Sequence, residues 1–285
     1  MKAAVIILTW NEAGAVERRL GELDSWSRAA PAVWLVDNAS RNPVLPRLAG
    51  RFPAVRTLVS PVNLGYAGGI NLALRRVMES EAEAVLLLNN DAGISEEAVL
   101  HLLEALECNP GVGAVGPCLH EGGRWSLGGR NIAWHLDTRR RSRYPAPDGG
   151  GLLRVDYVPG SAALIRTAAF RAAGLLDEAF FFSGELADFC RRAAACGLAS
   201  ALCPRVRARH EPGAGPRATL YAYYTLRNRF LFCRKAYPRR RRLFAAAWAA
   251  IGLAMAGRAL VRGRPAAARA AWLAVRDGLA GRFGN

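Results

Sequence analysis

The residues best placed for chemistry stand where apolar runs stop. Val85-Leu86-Leu87-Leu88 closes on Asn89-Asn90-Asp91. A short continuous apolar run bounded by polar residues predicts a strand buried on both faces, in the middle of a parallel sheet. Ligands of open α/β sheets sit beyond the carboxyl ends of the strands. Asp91 therefore stands where a carboxylate can hold a divalent cation, and the cation a diphosphate. Read alone, the same three residues make a turn that caps the next helix. Three further clusters follow apolar runs: Thr9-Trp10-Asn11, Asp37-Asn38-Ala39-Ser40, and the glycine-rich stretch from Asn63 through Gly65, Gly68 and Gly69 to Asn71. Each alone suits a cap or a turn.

The elements that must carry these clusters alternate. Strands are predicted at Ala3–Thr9, Ala32–Val36, Val55–Val59 and the central Val85–Leu88 run, then near Val112–Val115, Val155–Val158, Gly160–Ile165 and Ala199–Val206, the last leading to His210. Helical spacing is present at Ala13–Leu23, Ile70–Met78, Glu96–Cys108 (capped by Ser95), Thr167–Ala173 and Leu186–Ala195. Strand–helix alternation predicts an α/β domain with a doubly wound, largely parallel sheet. Residues 119–151, rich in Gly, Arg and Pro, read as a long excursion containing mobile loop. Beyond Pro216 the pattern turns helical, basic and aromatic. This divides the chain into a catalytic-type domain, 1–215, and a helical extension, 216–285.

Composition narrows the class. The net charge is +16 and almost all of it is arginine, Lys2 and Lys235 being the only lysines. Residues 204–285 hold about 18 basic side chains against Glu211 and Asp277, an asymmetry that favours an anionic partner. The six cysteines show no zinc or C-x-x-C spacing and read as buried, reduced thiols. The N-terminal apolar run meets Asn11-Glu12 with no small-residue cleavage site, unlike a signal peptide. No stretch reaches the roughly 18–20 apolar residues of a spanning helix; the nearest is Leu243–Gly257. Thr9–Gly14 has no Arg or Lys, which argues against a nucleotidyltransferase with a basic N-terminal phosphate loop. No recognised nucleic-acid module is present.

The four strand-end clusters, in this order and spacing, resemble the inverting glycosyltransferases of family 2, of the GT-A fold, and among them the rhamnosyltransferase-like enzymes of cell-surface polysaccharide synthesis. Val158-Pro159-Gly160-Ser161, Gly174-Leu175-Leu176-Asp177-Glu178-Ala179-Phe180-Phe181 and Tyr224-x-x-Arg227-Asn228 are similar to further stretches of that family. The resemblance implies a Rossmann-like mixed sheet. It implies a nucleotide-sugar donor (dTDP- or UDP-linked), with Thr9 and Asn11 lining the nucleoside pocket, Asp37 accepting from the pyrimidine or ribose, and Asn63, Gly65, Asn71 and Asn89 shaping the donor site. Asp91 and His210 would bind the metal, Mg2+ or Mn2+. The family's Glu-Asp-x-Asp base motif reads Glu185-Leu186-Ala187-Asp188 here, and leucine cannot take a proton. Glu185 is the first candidate to replace the base. Asp188, one turn on, is the second, although it can instead pair with Arg192 at i,i+4. The alternative is a degenerate nucleotide-sugar-binding or scaffolding homologue.

The tail completes the expectation. Arg239-Arg240-Arg241-Arg242 precede Leu243, Phe244, Trp248, Ile251 and Met255 at helical spacing. A basic cluster beside an aromatic apolar face suits a helix lying in an anionic membrane surface; a helix packed back on the domain suits the pattern as well. The expected enzyme is cytoplasmic, peripheral on the inner face of the plasma membrane, and acts on a lipid-linked or glycan acceptor.

Overall fold

The structure is a computed structural model that describes residues 1–48, 50–135, 139–142, 151–210 and 216–285. The first half alternates strictly: β1 (Ala3–Thr9), α1 (Ala13–Asp24), β2 (Ala32–Asn38), α2 (Leu45–Leu48), β3 (Arg56–Ser60), α3 (Gly65–Val77), β4 (Ala84–Leu88), the two-residue β5 (Ala92–Gly93) and α4 (Glu96–Glu107). Then follow β6 (Val112–Glu121), β7 (Arg124–Gly129), β8 (Arg139–Ser142), β9 (Leu153–Val155), β10 (Ala162–Arg166), α5 (Thr167–Ala173), α6 (Glu185–Ala195) and β11 (Ala199–His210). Three helices close the chain: α7 (Pro216–Ala236), α8 (Arg241–Val261) and α9 (Pro265–Ala280).

The strands form one mixed sheet in the order β3-β2-β1-β4-β10-β6-β11-β5. Strands β1 to β4 are parallel, β10 runs antiparallel between β4 and β6, and β11 returns parallel to β6. All five residues of β4 are buried, as a central strand requires. Alternate side chains feed two cores. Val5, Ile7, Leu35, Leu86 and Leu88 face one cluster with Leu20 and Leu102; Ile6, Val36, Val85 and Leu87 face another with Leu74, Phe170 and Phe189. The fold is the expected doubly wound α/β layer, with the antiparallel β10 inserted between β4 and β6.

Three differences from the sequence reading have physical causes. The glycine-rich stretch is not a turn before a helix but the helix's own first turn, because α3 begins at Gly65. A Cβ on Gly69 would overlap the Leu8 side chain, so glycine lets α3 lie close on β1. The excursion after Leu119 contains ordered antiparallel pairing of β6 with β7 and of β7 with β8, while residues 136–138 and 143–150 lie outside those described. Of the six cysteines only four are buried; Cys108 and Cys196 are exposed, each at the carboxyl cap of a helix.

The extension is joined to the rest by a third core. Of the two readings the sequence offered for this helix, Phe244 and Trp248 follow packing back on the domain: they are buried in a cluster with Leu226, Phe230 and Val275 that also takes in Ile132, Phe180 and Ala187. Trp248 Nε1 donates to the Ala133 carbonyl, and the Arg229 guanidinium lies 4.1 Å over the Trp248 ring. The packed side of α8 is thus the aromatic one. Its hydropathy also exceeds the sequence expectation: an 18-residue window within Pro238–Val261, with mean hydropathy 1.6 and 22% buried, makes the helix long and apolar enough to cross a membrane.

Because this core bridges 1–215 and 216–285, the two are expected to unfold together. Trp248→Ala should destabilise by about 3–5 kcal/mol, the usual cost of emptying a large aromatic site. Urea unfolding followed by far-UV circular dichroism should show a single shifted transition; a second, unshifted transition would show that the extension folds on its own.

Candidate active site at the carboxyl edge of the sheet

Strand β4 delivers Asp91 to the sheet edge, and β11 delivers His210 beside it through antiparallel pairing of His210 with Ala92. His210 Nε2 lies 3.3 Å from Asp91 Oδ1. The other ring nitrogen, Nδ1, lies 3.0 Å from Glu121 Oε1 at the end of β6. The imidazole therefore lies between two carboxylates, which hold its ring in place. Asp91 Oδ1 is itself buried without a hydrogen bond. With Nδ1 on Glu121, a neutral ring would leave Nε2 free to share a cation with Asp91. Among the described residues no group of three or more His, Cys, Asp or Glu is gathered for a metal. Asn89 anchors the strand end, its N–H donating to the Ser161 carbonyl at 3.1 Å.

On the other side of the edge the donor-site candidates hold one another. Asp37 is buried; Oδ1 accepts from Ser40 N and Oδ2 from Val44 N. It therefore shapes the loop after β2 rather than presenting a free carboxylate. That loop meets Asn11, whose N–H donates to Ser40 Oγ and whose Oδ1 accepts from Arg41 N, with Asn11 at φ 62°. Thr9, in register with Asp37, keeps its Oγ1 buried and unpartnered. Asn63 Oδ1 accepts from Gly65 N and from Asn38 Nδ2, and Asn38 Oδ1 accepts from Leu64 N. Asn38 is thus the clamp of the glycine turn. Asn71 lies apart: fully buried, it bonds the Leu176 backbone in both directions and donates to Glu178. It ties α3 to the 176–178 segment, and its amide is fully used there.

The third component is the start of α6. The preceding loop is strained, with Phe181, Ser183 and Gly184 at φ 55°, 71° and 97°. The Phe181 carbonyl accepts from Tyr66 N at 2.6 Å, at the amino end of α3. A Cβ on Gly65 would overlap that same oxygen. From the other side Asn228 Nδ2 donates to the carbonyls of Phe180, Phe182 and Ser183. Phe181 stacks on Tyr224, and the Arg227 guanidinium lies 4.7 Å from the Tyr224 ring. The Tyr224-x-x-Arg227-Asn228 motif therefore holds the loop that presents Glu185.

Glu185 is 7% exposed, and its Oε2 makes no hydrogen bond. Burial pushes its carboxyl up to about 7, offset in part by backbone N–H groups of Glu185 and Ser183. Tyr66, whose hydroxyl donates to the Gly160 carbonyl, has its own pKa raised by burial and then by the charges of Glu185 and Asp91. One tyrosine therefore feels both carboxylates. Leu186 faces the apolar cluster of Val158 and Phe189. Asp188, the second candidate for the base, makes the pairing with Arg192 that its spacing allowed. It is completely buried, ion-paired with Arg192 Nε at 2.8 Å and Lys235 Nζ at 2.8 Å, and so fixes α6 to α7.

Sequence reasoning missed Tyr66, Asn38 and Glu121. Tyr66 sits among glycines that read as a turn, Asn38 beside the acid that drew the eye, and Glu121 beyond the expected end of its strand.

Comparisons with known proteins give a family from the sequence and a fold from the solved structures. The model of glycosyl transferase family 2 matches residues 4–174. The N-acetylglucosaminyl-diphospho-decaprenol L-rhamnosyltransferase of Mycobacterium tuberculosis is 25% identical over 253 residues, covering 77% of this chain and 80% of the relative. The low-salt glycan biosynthesis hexosyltransferase Agl10 of Haloferax volcanii is 29% identical over 189 residues, 59% of this chain and 57% of the relative. Among solved structures, the mannosyltransferase PcManGT of Pyrobaculum calidifontis, in complex with GDP-Man and Mn2+, superposes with TM-score 0.60 at 17% identity, covering 99% of this chain and 88% of that one. GalNAc-T7 with UDP, GalNAc and Mn2+ gives 0.61 at 13%, covering 79% and 47%. These structural likenesses show the GT-A fold.

The Glu185 environment has a thermodynamic signature. Between its ordinary 4.5 and about 7 the folded state holds a proton that the unfolded chain has released. The resulting stabilisation is complete below the lower value and lost as pH rises to the upper one. The loss across this window is expected to be on the order of 3 kcal/mol, and Glu185→Gln should flatten it. Denaturant midpoints from pH 4 to 8 for both proteins check this; parallel curves would show that the carboxyl is not buried.

Proposed function

The chain belongs to glycosyl transferase family 2 and is a glycosyltransferase that uses a nucleotide-sugar donor, and from that premise we propose that it transfers the sugar, with inversion, to a hydroxyl of a lipid-linked acceptor. The observation that carries the reading is three buried oxygens without a hydrogen bond: Thr9 Oγ1 at the carboxyl end of β1, Asp91 Oδ1 beyond that of β4, and Glu185 Oε2 at the start of α6. Buried polar atoms are left unpaired at sites that await a ligand. The proposed donor is a dTDP- or UDP-sugar, its nucleoside beside Thr9 and the Asn11–Ser40 loop and its diphosphate toward Asp91.

Asp91 Oδ1 and His210 Nε2 would hold a divalent cation, Mg2+ or Mn2+, with Glu121 orienting the imidazole. Bound there, such an ion would neutralise the charge growing on the departing diphosphate. Mn2+ in PcManGT and GalNAc-T7 supports that reading by analogy of fold. Glu185 accepts the proton of the acceptor hydroxyl at Oε2 as the hydroxyl attacks the anomeric carbon. A base with a pKa near the working pH suits this step. A single displacement inverts the anomeric centre. The lipid-linked acceptor is supported by the Mycobacterium relative, whose name gives a sugar on diphospho-decaprenol. Such an acceptor places the work at the cytoplasmic face of the plasma membrane, and the basic extension is compatible with that surface.

Two variants test the assignment, once a donor has been found by thermal shift. Glu185→Gln should slow turnover by roughly 10²–10⁴, the contribution of a positioned base, with donor affinity unchanged. In the parent, turnover should rise with pH to a plateau above about 7. Unchanged turnover in Glu185→Gln removes Glu185 as the base. Asp91→Ala should abolish Mn2+-dependent binding of the nucleoside diphosphate in calorimetry while the melting transition persists. Equal binding by parent and variant removes Asp91 as the cation ligand.

A further inference from the structure

Helix α8 has two faces, and among the described residues only one is packed. Phe244, Trp248, Gly252 and Ala256 are buried. A Cβ on Gly252 would overlap Val275 of α9, so the helices are in close contact there. The opposite face carries Leu243, Ala246, Ala250, Leu253, Gly257, Leu260 and Val261 at three- and four-residue spacing, all exposed. Its large members are open to solvent: Leu243 69%, Leu253 51%, Leu260 61% and Val261 90%. From Leu243 to Gly257 no charged residue interrupts the helix, and α8 spans roughly 32 Å at the usual rise per residue. An uncharged apolar strip of that length is more than a scattering of exposed side chains.

Both ends of the strip are ringed by arginine. Arg239, Arg240, Arg241 and Arg242 are exposed at one end, and Arg258, Arg262 and Arg264 at the other. The single acid after residue 215, Asp277, is buried and engaged by Tyr223, Arg276 and Arg282. This face therefore offers apolar surface framed by uncompensated positive charge.

We infer that the outer face of α8 is the membrane-contacting surface, lying in the plane of an anionic lipid leaflet with its terminal arginines among the headgroups. This deepens the proposed lipid-linked acceptor and rests on that reading for the choice of a lipid occupant. The geometry decides between lying and spanning. The inner face of α8 is committed to α7 and α9, and Trp248 is bonded to Ala133. α7 carries the buried Arg227 and Arg229. A spanning α8 would either break that core or draw those charges into hydrocarbon. An in-plane pose submerges only the free apolar face. The charge decides between lipid and a second copy. Pairing two α8 helices along this strip, parallel or antiparallel, sets arginine clusters of one copy against those of the other, a like-charge contact. Anionic headgroups complement the same clusters.

The test uses the full chain without donor or acceptor, so its outcome is independent of the proposed chemistry. Co-sedimentation is measured with vesicles of phosphatidylcholine alone and with phosphatidylglycerol added. The parent should bind the anionic vesicles, bind the neutral ones far more weakly, and be released by salt as surface charge is screened. The double variant Leu253→Glu/Leu260→Glu changes exposed positions only. It should keep its melting temperature and lose about tenfold or more in vesicle affinity, because the submerged apolar area supplies part of the binding. Phe244→Ala, on the buried face, should lower the melting temperature instead. Equal vesicle binding by the double variant and the parent overturns the inference, as does binding indifferent to phosphatidylglycerol. A parent that is dimeric in solution and turned monomeric by the double variant, without vesicle binding, assigns the strip to a second copy and overturns it too.

Discussion

The peptide group of Phe181 is the constraint on which the site depends. Its carbonyl is gripped by the amino end of α3 through Tyr66 N, and the loop around it is gripped by the amide of Asn228 through the carbonyls of Phe180, Phe182 and Ser183. Between these two grips the chain takes positive φ at Phe181 and Ser183, each costing on the order of 1–3 kcal/mol for residues with a Cβ. The hydrogen bonds offset that strain. What the strain achieves is an abrupt turn that starts α6 with Glu185 buried beside Tyr66. The same glycine turn that Asn38 and Asn63 shape on the donor side supplies the α3 terminus that holds the loop. Donor pocket and base candidate are therefore set by one contact.

This explains why the helices after residue 215 belong to the site rather than follow it. Asn228 and Arg227 act directly on the loop, and Lys235 reaches Asp188 and Asp177. Burying Asp188 between Arg192 and Lys235 satisfies its charge, and removing both cations would leave a buried charge uncompensated. The change in composition at Pro216 marks where the fold stops alternating. The loop that presents Glu185 is held by residues on both sides of that point.

Much of the sheet was legible because β4, β1 and β2 are buried on both faces and read as continuous apolar runs ending in polar residues. The antiparallel β10 was not, since an apolar run carries no direction. The pairing of Asp91 with His210 could be anticipated from the family resemblance, and the coordinates bring the two to 3.3 Å. Glu121 could not, because β6 extends past the point where its apolar pattern fades. The i,i+4 partner of Asp188 was visible in sequence, but Lys235, distant in the chain, was not, and that second cation turns Asp188 from a candidate acid into a rivet. Helix α8 was ambiguous for another reason. With alanine on nearly every side, its periodicity identifies two apolar faces and does not say which one the protein covers.

The buried face of α8 links the surface proposed for lipid to the loop that presents Glu185. Following α9, the Gly284 N–H donates to the Ala179 carbonyl, and the Gly284 carbonyl accepts from Arg227 at 2.8 Å. The hairpin of α8 and α9 is thus tied to the loop at both of its ends, through α7 on one side and through Gly284 on the other. Phe180, one of the largest fully buried side chains, lies in the same core as Phe244 and Trp248. These ties join the face proposed for lipid to the loop that presents Glu185. In the proposed in-plane pose Glu185 stands at a fixed height above the leaflet, so an acceptor sugar on a lipid carrier meets it only if its linker matches that height. Selection among lipid-linked acceptors then comes from the rigidity of the core as much as from contacts in the sugar pocket, by the same logic that makes a preorganised site favour one substrate geometry over another.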